Sequence, residues 1–100
     1  PSRFNLAIFY SRGLGVDRDD TRAVYMYNTA AVIAGTPEIG LHGMAEEAER
    51  MALSMMMTME PAAIKEAHRR SKEFEKRYLK HYMKGYFERR RSGETPPQEP

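Results

Sequence analysis

Cysteine is absent from this chain of 100 residues, which excludes a disulfide framework and a thiolate zinc site. No apolar run approaches the roughly 18 residues that a membrane-spanning helix needs. No signal-peptide pattern opens the chain, and a start at Pro1 instead of methionine fits a processed or trimmed product. The length allows one small domain with a modest core.

The residue sets that carry chemistry are missing too. Serines stand at positions 2, 11, 54, 71 and 92, none with a histidine and a carboxylate in a triad-like array. Of the three histidines, His42, His68 and His81, the last two lie thirteen residues apart on one expected helix, too far to share a metal. Asp17-Arg18-Asp19-Asp20 lacks the later glycine and the closing glutamate of a calcium loop. Gly13-Leu14-Gly15 follows no strand and precedes no third glycine or lysine–serine pair, so it is no phosphate loop. Met55-Met56-Met57-Thr58-Met59 suits a soft copper site or an adaptable surface, but a loop plug with core residues is the favoured reading. The expectation is a protein that is not an enzyme and holds neither cofactor nor metal.

Charge is present but uneven. The net charge of +2 divides into five Lys/Arg against eight Asp/Glu over residues 1–64 and eleven against four over residues 65–91. A cationic block of this kind attracts acidic protein surface, anionic lipid or nucleic acid, unless it is merely a solvated face.

The pattern predicts an all-α chain of four helices. The first spans Ser2–Arg12, with Gly13 as a left-handed stop and Val16 plugging the turn. Asp19 caps a second helix over Asp20–Ala34, whose stripe is Ala23, Tyr27, Ala30, Ala31 and Ala34. Gly35 ends it. Thr36 and Pro37 are expected to start a third helix, running to Ser54, with Leu41, Met44, Ala45, Ala48, Met51, Ala52 and Met55 inward. Thr58 is expected to cap a fourth, Met59 to about Arg90, that faces the third as far as Tyr78 and has its weak point at Gly85. The tail Ser92–Pro100 reads as polar, proline-rich and extended.

Leu6, Tyr10, Gly13-Leu14-Gly15-Val16, Asp19, Ala23, Tyr27, Ala30-Ala31 and Gly35 together resemble the Sel-one-like repeat, an α/α-solenoid unit related to the tetratricopeptide repeat. Ala7 and Met26 depart from it, standing where glycine and tryptophan are common. Met57 to Ala67 is similar, more loosely, to the helix pair that closes such arrays. The resemblance implies a short α/α solenoid of about two helix hairpins over residues 1–78, followed by a projecting basic aromatic helix, 79–91, and the tail, 92–100. Solenoids usually need about three units to bury a continuous core, so burial borrowed from a partner, or upstream repeats lost to trimming, would complete this one.

The resemblance implies protein binding, and the expected function is a non-enzymatic scaffold, an accessory or adaptor subunit of a larger assembly. Its candidate partner-binding residues are Arg77, Tyr78, Lys80, Tyr82, Lys84, Tyr86, Phe87, Arg89, Arg90 and Arg91. Aromatics ringed by cations make interface anchors. The same residues 76–91 suit two other partners: RNA, through base stacking and phosphate contacts, and anionic lipid, through an in-plane amphipathic helix. A basic chain without its initiator methionine points to the mitochondrion, with the bacterial envelope and other organelles as alternatives.

Overall fold

Ser2 starts the fold by accepting the Asn5 N–H on its hydroxyl at 3.2 Å. Helix α1 then runs Arg3–Arg12 and closes on Gly13 at φ 68°, whose N–H returns to the Phe9 carbonyl. That left-handed backbone costs least without a Cβ. In this computed structural model, which describes residues 2–91, α2 spans Asp20–Ala34, α3 His42–Met56 and α4 Pro61–Arg91. The tail expected at 92–100 lies outside the described residues. The architecture is all-α, a short array of helical hairpins whose last helix is greatly extended. At 31 residues, α4 is about 46 Å long, close to the 48 Å long dimension of the molecule.

The α1–α2 turn forms by local chemistry. Asp19 accepts the Arg22 N–H at 3.0 Å, satisfying an amide that the first helical turn leaves open. The Asp19 N–H meanwhile donates to the Tyr10 carbonyl at 3.0 Å, tying the turn to the end of α1. Arg22 reaches back to the Tyr10 hydroxyl at 3.0 Å. Val16 does not plug this turn, because it is 40% exposed; the backbone bonds close the hairpin without it.

Helix α2 is the hub, and α1, α3 and α4 each pack against it. Among the described residues, eight of the ten buried hydrophobic ones are alanines, with Val24 and Tyr27 the exceptions. Small side chains let backbones approach closely, and the one large buried ring fills the volume left between them. Phe4 meets that Tyr27 ring edge-on at 5.5 Å. Ala31 packs half-buried against this core, and Leu6 and Tyr10 are half-buried.

Three expectations about α3 and α4 are corrected. First, Thr36 does not start α3. Its hydroxyl donates backward to the Ile33 carbonyl at 2.7 Å, and the Leu41 N–H returns to the Ala34 carbonyl at 2.8 Å. Residues 36–40 therefore form a turn, and α3 begins at His42 with no side-chain cap. Leu41 and Met44 are consequently 49% and 45% exposed, while Ala45, Ala48 and Ala52 are buried and Met51 and Met55 pack against the core. Second, Thr58 closes α3 instead of capping α4, donating to the Met55 carbonyl at 3.2 Å. Third, α4 packs along α2 and barely touches α3. It also runs unbroken through Gly85.

Candidate docking surface

The first half of α4 is committed to the fold. Ala67 is fully buried, and Ser71 accepts from the Asn28 amide at 3.1 Å. Phe74 meets the Tyr25 ring edge-on at 6.3 Å. Above it, the Arg3 guanidinium sits 4.4 Å from the ring centre while donating to Thr29 at 3.1 Å. One cation thereby joins α1, α2 and α4.

Two of the expected partner-binding residues belong to this internal set. Tyr78 stacks on Phe74 at 5.9 Å with rings 12° apart, and its hydroxyl lies 3.3 Å from that of Thr36. Arg89 pairs with Glu38 in the 36–40 turn. Its side chain lies back over Gly85, where a Cβ would come within 3.3 Å of the guanidinium. One face of residues 79–91 thus meets the 36–40 turn through Arg89.

The other face is open. Leu79, Met83 and Phe87, four residues apart, are 43%, 43% and 52% exposed. Lys80, Lys84, Arg90 and Arg91 are exposed as well. Tyr82 and Tyr86 are half-buried, with Tyr86 edge-on to Phe87 at 5.7 Å and bonded through its hydroxyl to Arg90 at 3.2 Å. Arg77 approaches Glu73 at 3.8 Å. Among the described residues Lys76, Lys80 and Lys84 take part in no ion pair.

A second surface feature lies nearer the body of the fold. Between α3 and α4, which barely touch, a groove of about 790 Å³ opens over α2. Ala31, Val32, Met56 and Ile64 line its apolar part, with Glu49 on the α3 bank and Lys65, His68 and Lys72 on the α4 bank.

Ionic contacts stiffen the α4 surface next to this groove. Glu66 accepts from Arg69 at 2.9 Å and from Arg70 at 2.7 Å. These bonds, that of Arg69 foremost, hold its carboxyl at about 2, below the usual 4.5. His42, His68 and His81 are each exposed. No helix among the described residues is long and apolar enough to cross a membrane. Compared with protein-family models, with curated proteins and with solved structures, the chain matches none.

Proposed function

We propose that this chain is a non-enzymatic helical scaffold, an adaptor that docks other protein subunits through the distal half of α4. One observation carries the reading: Leu79, Met83 and Phe87 stand exposed in register beside lysines without ion partners, on a helix whose opposite face meets the fold through Tyr78 and Arg89. Apolar anchors flanked by charge are the usual anatomy of a docking patch. The Sel-one-like assignment belongs to the same proposal. What supports it is the α1–α2 hairpin, with Gly13 left-handed, Asp19 capping, and Ala23, Tyr27 and Ala30 buried.

Affinity capture of the tagged chain, beside a Leu79→Ser/Met83→Ser/Phe87→Ser variant, tests this. The native chain is expected to retain a defined set of protein subunits after nuclease and mild detergent, and the variant to lose them. Retention that vanishes with nuclease would replace this reading with the RNA one. Retention that vanishes with detergent, together with flotation on anionic liposomes, would replace it with the lipid one.

A further inference from the structure

Ion pairing leaves charge of opposite sign on two different helices. On α3, Glu47 pairs with Arg50, whereas the exposed Glu46 and Glu49 take part in no ion pair among the described residues. On α4, Lys72 pairs with Glu75 and Arg77 with Glu73, while Lys76 and Lys80 stay exposed and unpaired. Each set of charges leads along its helix into bare apolar surface. Beyond Glu49 stand Leu53 and Met57, 61% and 86% exposed; Met57 is the C-cap of α3 and keeps helical backbone. Beyond Lys76 stand Leu79, Met83 and Phe87.

The two stripes share one spacing. Glu46, Glu49, Leu53 and Met57 follow one another at three, four and four residues, and so do Lys76, Leu79, Met83 and Phe87. Such steps keep each set along one side of its helix. Laid parallel, they bring Glu46 level with Lys76 and Glu49 beside Lys80. The same register brings Leu53 to Met83 and Met57 to Phe87. Both acids then meet lysines, and apolar anchors meet apolar anchors. Within one molecule α3 and α4 barely touch, so the match is open to two copies.

We infer that the distal half of α4 docks on the outer face of α3 in a second copy of this chain, lysine to glutamate and methionine and phenylalanine to leucine and methionine. The inference rests on the docking function proposed above and names one subunit that it takes: another copy of this chain. Charge complementarity selects that occupant. Lys/Arg against Asp/Glu is five against eight over residues 1–64 and eleven against four over residues 65–91. A copy thus offers acid to the basic half, whereas α4 laid on α4 would oppose one lysine row to another. The joined patches differ, so every copy carries both halves of the contact.

Sedimentation equilibrium of the full chain, freed of nucleic acid, is the test. The native chain is expected to self-associate reversibly, and added salt to weaken the association by screening. Lys76→Glu/Lys80→Glu and Glu46→Lys/Glu49→Lys, all at exposed positions, should each weaken it by about tenfold or more, because like charges then face each other. Thermal melts check that both variants stay folded. An equal mixture of the two restores opposite charges at the contact and should associate as the native chain does. Leu53→Ser removes an anchor without touching charge, and should weaken association too even where a charge reversal unfolds the chain.

A chain that stays monomeric at millimolar concentration and low salt would overturn the inference. So would self-association that neither charge reversal nor Leu53→Ser disturbs, or reversed variants that do not associate with each other. Tighter binding to polyuridylate or to phosphatidylglycerol vesicles than to the chain itself would overturn it as well. The docking function is judged separately. A monomeric chain that captures other subunits, and loses them in the triple serine variant, keeps that function; capture unchanged in the variant ends it.

Discussion

Arg89, near the end of α4, is ion-paired with Glu38 in the turn that follows α2, 51 residues away in sequence. Both side chains are about 30% exposed, so the pair is neither dry nor fully solvated. Its consequence is positional: it fastens a helix that would otherwise leave the body after Tyr78. Glu38→Gln keeps the size and removes the charge. The expected loss is at most about 1 kcal/mol of global stability, because most of the fold does not depend on the pair. Hydrogen exchange should instead report the change locally, with amides of residues 82–91 exchanging faster and those of α2 unaltered. Uniform exchange across α4 in both proteins would contradict the tether.

Gly85 is tied to that contact. Mid-helix glycine is ordinarily costly, by about 1 kcal/mol against alanine, and here it makes room for the returning Arg89 side chain. The neighbour that a Cβ would meet is the far end of a flexible chain, which moves aside cheaply. Gly85→Ala should therefore raise helicity and stabilise the protein by about 0.5–1 kcal/mol while weakening the pairing to Glu38. Combined with Glu38→Gln, it should show less than the full local effect of that change, which a double-mutant cycle read by hydrogen exchange measures.

Tyr27 is fully buried, and its hydroxyl has no hydrogen-bond partner among the described residues. A buried hydroxyl left unsatisfied costs about 1–3 kcal/mol. Tyr27→Phe keeps the ring and its edge contact with Phe4, so the expected outcome is a gain of about 1 kcal/mol in chemical denaturation. A clear loss would mean that the hydroxyl is bonded in solution.

The alanine contacts predict the opposite sign for added volume. Ala48 is fully buried in the seam between α3 and α2. Ala48→Leu forces helices apart that approach closely only because the side chain is small, and should destabilise by about 1–3 kcal/mol. Leucine at the exposed Ala62, a control of the same chemistry, should leave the denaturation midpoint nearly unchanged.

What the chain reveals of itself follows the range of the interactions. Both ends of α2 and the Gly13 turn are legible because Asp19, Gly13 and Gly35 act on backbone within a few residues of themselves. The start of α3 is not. Thr36 can serve as a forward cap or donate backward to Ile33, and the return bond from Leu41 to Ala34 decides between them. Which helix α4 lies on is equally hidden, since α2 and α3 both present alanine stripes to a partner. The expected site divides along the same line. Tyr78 and Arg89 are removed from it by contacts 42 and 51 residues away, while Leu79, Met83 and Phe87 stay about half exposed among the described residues. The groove depends on how α3 and α4 are spaced on α2, which no local pattern encodes.

Acid should weaken α4 through Glu66. Its folded carboxyl titrates at about 2 against a usual 4.5, so the group favours the folded state wherever it is ionised in both states. That contribution is complete above about pH 4.5 and is lost progressively as the pH falls toward 2. The contacts are at the surface, so the effect is modest and falls with added salt. Glu66→Gln removes it at every pH. The difference in melting temperature between the native chain and Glu66→Gln should be constant from pH 7 to 5 and shrink from there to pH 2, other carboxylates cancelling in the comparison. A difference that stayed flat across the acid range would mean that Arg69 and Arg70 do not hold the carboxylate in solution.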